Sequence, residues 1–405
     1  MNKWQTYKIK DLTQSFSGGT PLTDRPEFYQ NGDIPFITSS DLNQQFIDSV
    51  PHYITKQGLE SSSAKIVEPQ TLLLALYGAT AGTAAITHIR GTINQAILAF
   101  SKSKIDIKFL YYLLCEKKPY ILHTYTQGGQ PNLSAQIVNN LSIYIPTDCH
   151  EQQKIVEVLE TWDKAIQLTR KLIEQKELQK KYLMQQLLTG LLRLAKFTDS
   201  WKKEKIGNLG SSYNGIVGKT EKDFGHGTAK YITFLNILEN TAIDIELCEK
   251  VDIREEEKQN AVKCGDLFFN SSSETPEEVG MCSALLQTMD NTYLNSFCCG
   301  FRPHDTKRLS SLYLAYWFRT NQGRALMVRL AQGSTRYNLS KESFKKSQLL
   351  LPSYKEQQEI ANILTLADKE IDLLRQKLAK LEEQKKGLMQ VLLTGKIRLA
   401  VKENK

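Results

Sequence analysis

A chain that repeats itself can fold only in ways that satisfy both copies, so an internal repeat constrains this sequence more than any single motif in it. Glu151, Gln152, Gln153 and Ile155 recur as Glu356, Gln357, Gln358 and Ile360, an offset of 356 − 151 = 205 residues. The same offset carries Asp163 onto Asp368, Arg170 onto Arg375 and Met184 onto Met389, and it returns Leu187, Leu188, Thr189 and Gly190 as Leu392, Leu393, Thr394 and Gly395. Upstream the repeat continues at offset 206, with Asn132, Leu133 and Ser134 recurring as Asn338, Leu339 and Ser340, and Pro146 as Pro352. The chain reads as two half-molecules in tandem.

Each repeated segment is helical by period. Apolar residues step by four and three along one seam through Ile155, Leu159, Trp162, Ile166, Ile173, Leu183 and Leu187. The second copy follows with Ile360, Leu364, Ala367, Ile371, Leu374, Leu378, Leu381, Leu388 and Leu392. Of 20 seam positions 16 are apolar, the exceptions being Thr169, Lys176, Lys180 and Lys385, and this spacing predicts a coiled coil. Pro146 and Pro352 precede the helices, and Gly190 and Gly395 follow as C′ residues. At about 1.5 Å per residue, helices of about 40 residues are rods of roughly 60 Å. The economical partner for each seam is the other helix of the same chain. If the halves are related by a two-fold perpendicular to the rod, the helices run antiparallel. Lys180 then falls opposite Ala367 and Lys385 opposite Trp162, where their long stems would snorkel outward and pin the register.

The segments between the rods carry short β-like runs, hydroxyl-rich turns and one helical stretch each, so the fold class is α+β: two globular domains alternating with two long helices. The divisions fall at 1–147, 148–196, 197–353 and 354–405. In the first domain strands are expected at 34–38, 71–76, 84–87, 96–100 and 141–145, with a helix at 107–116. In the second they are expected at 231–235, 266–270, 281–287, 297–302 and 348–351, with a helix at 309–323. The element order matches while the sequences are barely alike, as in a scaffold that presents two specificities.

Composition narrows the function. With 405 residues, 41% of them hydrophobic, disorder throughout is excluded, and the charge of 52 − 44 = +8 suits a nucleic-acid partner without proving one. Met1 to Leu12 offers no apolar core of a secretory signal, and Thr71 to Ile86, the most apolar stretch, is interrupted by Gly78 and Gly82 and is too short to span a membrane. A cytoplasmic protein without membrane partners is expected. The seven scattered cysteines suggest a reduced compartment rather than a disulfide scaffold, and adjacent Cys298 and Cys299 read as buried strand residues.

Catalytic patterns are missing. Gly215 to Thr220 has two residues where a phosphate loop needs four between its glycines, and Gly78 to Gly82 completes no dinucleotide fingerprint. No Asn/Asp-Pro-Pro-aromatic run, the pattern an amino-methyltransferase uses around a flipped base, occurs in the chain. The carboxylates at 255–257 and 277–278 read as solvated loops, and the six histidines lie far apart, so neither metal nor triad chemistry is expected. What remains is recognition by polar turns at equivalent places in both halves. The candidate DNA contacts are Ser17, Gly18, Gly19, Thr20, Thr126, Gln127 and Gln130 in the first half. In the second half they are Lys219, Thr220, Lys222, Ser271, Ser272, Ser273, Gln332, Ser334, Thr335 and Arg336. Gln and Arg suit base edges, while Lys, Ser and Thr suit phosphates.

These residues carry a family resemblance. The run Gln127 to Ser134, then Leu141 to Pro146, then Glu151 to Ile155 and a long helix closing on Leu187 to Gly190, duplicated as Gln332 to Ser340, Pro352, Glu356 and on to Gly395, resembles the specificity (S) subunit of type I restriction–modification systems. The chain departs from an even duplication at Tyr337, which stands where the first half has Pro131, and at 266–280, which keeps only Gly280 of the glycine pair. The resemblance implies two target recognition domains, each reading one half of a split, asymmetric site in double-stranded DNA, held apart by an antiparallel coiled coil. It implies no catalysis and no cofactor in this chain. Two methyltransferase (M) subunits would bring S-adenosylmethionine, and restriction (R) subunits would bring ATP and Mg. The rival classes are a self-contained DNA enzyme, which would bind S-adenosylmethionine alone, and a coiled-coil adaptor for proteins, which would show no salt-sensitive DNA binding.

Overall fold

The computed structural model describes residues 4–125 and 132–399. It divides into two compact units, Met1–Arg170 with Gln376–Lys405, and Lys171–Arg375.

In the first unit a central sheet runs in the order Gln14–Ser17, Ile97–Ser101, Thr71–Ala75, Ala84–Thr87, Phe46–Ile47. Its links are antiparallel except the last, which is parallel. Leu72, Leu74, Leu98 and Phe100 face the helix Ile107–Tyr125 through Phe109, Leu110 and Leu113. Leu73, Ala75, Ile97 and Ala99 face the other way, onto Ile37, Leu42, Ile47 and Ile93. Burial on both faces is why these strands are unbroken apolar runs in the sequence. A second sheet orders Tyr53–Ile54, Ile34–Ile37, Gly91–Ile93 and Lys65–Val67, and Trp4–Lys8 pairs with Ser142–Pro146.

The second unit follows the same plan. Its central sheet runs Gly210–Asn214, Cys298–Pro303, Leu267–Asn270, Cys282–Ala284, and Lys202–Lys205 pairs with Gln348–Leu351. Phe344 packs with Phe269, Phe301 and Phe318, and Phe269 with Phe318, at ring separations of 5.1–6.1 Å. A smaller sheet joins Glu249–Val251, Phe224–Ile232 and Thr292–Leu294, and a third joins Ser272–Ser273, Tyr337–Leu339 and Ala331–Gln332.

Two expectations for this unit need correction. The strand expected at 231–235 ends at Ile232, because the Thr233 hydroxyl accepts from Asn236 N at 3.2 Å and starts the helix Phe234–Glu239. The single helix expected at 309–323 is two, Ser311–Phe318 and Asn321–Leu330. Thr320 caps the second of them, and the Arg319 guanidinium donates to the carbonyls of Ile237, Leu238, Asn240 and Cys282.

The first long helix spans Cys149–Leu188 and the second Tyr354–Leu392, with Gly190 and Gly395 at φ +75° and +72° beyond their ends. All 20 seam positions are buried or half-buried. The unit division falls inside both helices rather than at their ends. Within the first unit Ile155 and Leu159 share a core with Leu388, Leu392 and Leu393; within the second, Leu183 and Leu187 share one with Ile360 and Leu364. Among the described residues no helix is long and apolar enough to cross a membrane.

Candidate nucleic-acid interface

A recognition loop is useful only if the domain beneath it is fixed, and the repeated residues do that fixing. In the first unit the buried Glu151 carboxylate takes two bonds from Arg398, at 2.7 and 3.0 Å, and one from Trp4 Nε1 at 3.1 Å. In the second, Glu356 takes two bonds from Arg193, at 2.7 and 2.9 Å, and the guanidinium lies 5.6 Å over the Trp201 ring. The next residue repeats too. Gln152 accepts from Asp106 N and donates to Pro146 O, both at 2.9 Å, while Gln357 accepts from Ser310 N and donates to Pro352 O at 2.9 and 3.0 Å. Each glutamine thus ties the start of a long helix to the first turn of the helix that covers the sheet.

Halfway along lies a three-way joint. Asp163 accepts from Tyr112 Oη at 2.6 Å and pairs with Lys385; Asp368 accepts from Tyr316 Oη at 2.6 Å and pairs with Lys180. Burial first, and then the bond to the carboxylate, holds both phenols above their ordinary pKa, so both remain donors. The seam lysines therefore do not snorkel outward past Ala367 and Trp162. Each turns to the aspartate one position along, where a charge-assisted bond and a ring 5.3–5.8 Å away satisfy it better than a half-buried stem ending in water would.

The loops differ between the halves. Ser17 lies in the central sheet opposite Leu98. A Cβ on Gly18 would stand 1.8 Å from the Ile93 carbonyl oxygen, and one on Gly19 would stand 1.9 Å from Ser63 Oγ. Close backbone approach, not ligand contact, demands these two glycines. Thr20 donates to the Gln95 side chain at 2.6 Å, in the turn where Asn94 accepts from Ala96 N. Thr126, Gln127 and Gln130 lie outside the described residues. The segment after them docks on the residues just before the Gly78–Thr80 turn, through a bridge between Tyr77 and Asn132 and a bond from Leu133 N to Leu76 O.

In the second unit the Lys219 ammonium, its side chain only 5% exposed, sits 2.6 Å from Glu257. Thr220 donates its N–H and hydroxyl to Asp223 at 2.7 and 2.9 Å. The Lys219 bond to Glu257, and the Thr220 bonds to Asp223, hold these carboxyls below the usual range, so this cluster fastens a loop and leaves Lys222 as its exposed cation. Ser271, Ser272 and Ser273 come together with Gln332, Ser334, Thr335 and Arg336: Ser272 and Gln332 both pair with Asn338, and the tip at 333–336 is exposed. Ser271 Oγ donates to Phe297 O at 2.9 Å, while Ser273 is buried and bonded to Glu278. The root of the Lys219 loop meets the same segment, through Gly215 N and Cys298 O at 3.3 Å.

Two side chains at these turns, Phe297 and Lys341, were not singled out from the sequence. Phe297 reads in the sequence as the start of a strand, yet its ring is 46% exposed beneath Arg336. Lys341 Nζ reaches the Asn214 side chain.

Two sheet-and-helix domains are thus bolted at the same polar joints to long helices while carrying unlike turns, one kind of mount under two different surfaces. The sequence matches the family described as type I restriction modification DNA specificity domain over residues 1–178 and 198–383, and the chain belongs to that family. It is 24% identical to the type I restriction enzyme MjaVIII specificity subunit of Methanocaldococcus jannaschii, over 98% of this chain and 93% of that one. It is 27% identical to the EcoR124I/EcoR124II specificity subunit of Escherichia coli, over 40% of this chain and 41% of the relative. Among solved structures, the S subunit from M. genitalium matches with TM-score 0.56 at 14% identity, covering 96% of each chain. The HsdS subunit from Thermoanaerobacter tengcongensis matches with TM-score 0.53 at 16% identity, covering 97% of each.

Proposed function

We propose that this chain is the DNA-specificity subunit of a type I restriction–modification complex and catalyses nothing itself. The domain at 1–147 reads one half of a bipartite, asymmetric site and the domain at 197–353 reads the other. The two long helices pair as an antiparallel coiled coil that sets the spacing and docks two M subunits, through which R subunits join. S-adenosylmethionine belongs to the M subunits, and ATP and Mg belong to the R subunits; the complex works in the cytoplasm.

One observation carries this reading. The joints Glu151–Arg398 and Asp163–Lys385 recur as Glu356–Arg193 and Asp368–Lys180, whereas the turns that leave the equivalent strands Gln14–Ser17 and Gly210–Asn214 differ: Thr20 donates to Gln95 in the one, and Lys219 pairs with Glu257 in the other. Identical mounting with different surfaces is what one reader of two unlike half-sites requires. The test is to sequence modified adenines in DNA from cells expressing the chain with its partner M subunit, and from cells expressing that subunit alone. A split motif that appears only with the chain supports the proposal. Methylation that is the same in both samples, with both proteins soluble and associated, removes it.

A further inference from the structure

One cation of the second domain is exposed while it already rests over an aromatic ring. Arg336 stands in the turn between Ala331–Gln332 and Tyr337–Leu339, and its guanidinium carbon lies 4.9 Å over the centre of the Phe297 ring. That ring sits on a rigid base. The Phe297 carbonyl accepts from Ser271 N and Oγ and from Ser272 N at 2.9–3.2 Å, and its own N–H donates to the Asn295 side chain at 2.9 Å. The strand leaving the turn is held by Ser273 opposite Tyr337 and Ser272 opposite Asn338. Among the described residues the ion-pair partner of Arg336 is Glu274, 3.9 Å away and 83% exposed, a contact worth little in water.

A guanidinium held over an aromatic ring has fewer orientations to lose before its paired donors meet O6 and N7 of guanine together. A phosphate contact needs no such orientation, and the Glu274 carboxylate beside it repels phosphate oxygens. Resting on the function proposed above, we propose that Arg336, held over Phe297, reads a guanine in the half-site of the second domain. Phe297 is then a positioning residue, and Glu274 discourages binding through the DNA backbone.

The experiment measures binding of the chain–M complex to duplexes carrying the methylated motif, with each guanine of both half-sites replaced in turn. For the wild type, one replacement weakens binding by about 10- to 100-fold. Arg336→Ala and Arg336→Lys become indifferent at that position and keep every other preference, and Phe297→Leu loses part of the same discrimination. Glu274→Gln strengthens binding to all duplexes alike. Arg336→Ala weakening all duplexes by one factor would make Arg336 a phosphate contact and overturn the proposal. So would unchanged discrimination, or a motif without guanine. A wild-type complex with no sequence preference would instead remove the recognition function on which the proposal rests.

Discussion

Glu151 and Glu356 are each 1% exposed, and each spends its charge on one arginine from the segment that follows the other long helix. Removing that arginine strands a buried carboxylate. Arg398→Ala is expected to lower stability, by less than the usual cost of a broken buried pair because the Arg398 side chain is itself 41% exposed. Arg398→Lys keeps the charge but loses the bidentate fork, and falls between the two. Urea unfolding of the purified chain measures both.

The thiols give a second residue-scale outcome. Burial pushes Cys115 and Cys299 up to about 11 from an ordinary 9.0. Folding therefore favours their protonated form, and their contribution to stability is full below about pH 9 and lost as pH rises towards 11. Iodoacetamide at pH 8 should label exposed Cys149 and Cys264 first and leave Cys115 and Cys299 until the chain unfolds. The repeat of Glu151 and Asp163 is visible in the sequence, but their partners are not, since Arg398 and Lys385 stand 247 and 222 residues away. Long-range ion pairs leave no local pattern, which is why the seam lysines read as snorkelling stems.

The long helices were legible because a seam repeated over 40 residues has only one period that fits it. So were strands buried on both faces, such as Thr71–Ala75 and Leu267–Asn270. Strands such as Gln14–Ser17 and Lys202–Lys205 were not, because they carry no apolar alternation and owe their conformation to the partner strand. If the helices are the spacer, lengthening them must move the half-sites and alter neither. The first helix ends at Leu188, and Gly190 lies against Trp201, so an insertion near Gly190 would disturb a cap rather than extend a rod. Placing seven residues between Arg170 and Lys171, and seven between Arg375 and Gln376, preserves the seam phase and every ion pair within each unit. Each helix grows by about 10.5 Å at 1.5 Å per residue, roughly three base pairs of DNA at 3.4 Å each. Methylated motifs with unchanged halves and a gap about three base pairs wider are expected; an unchanged gap would count against the spacer role.

At the scale of the whole molecule the claim is that mounting and specificity are separable. The mounting was half legible: the sequence repeats the glutamates and aspartates, and the structure supplies Tyr112 and Tyr316 as the groups through which each domain grips them. The candidate contacts were legible only as a set of polar turns, some of which serve the fold. Lys219 is closed in an ion pair and Gly18 is a packing glycine, whereas Phe297 was not recognised.

The most direct measurement follows from the duplication. In a chain whose residues 197–353 are replaced by a second copy of 1–147, Tyr112 and Asp106 of the copy would meet Asp368 and Gln357 as Tyr316 and Ser310 do in the parent. Sequencing of modified adenines in cells expressing that chain with the M subunit should return a symmetric site made of the first half-site twice, in inverted orientation. The parent's asymmetric motif, or a motif lacking the first half-site, from a soluble and assembled complex would contradict the account.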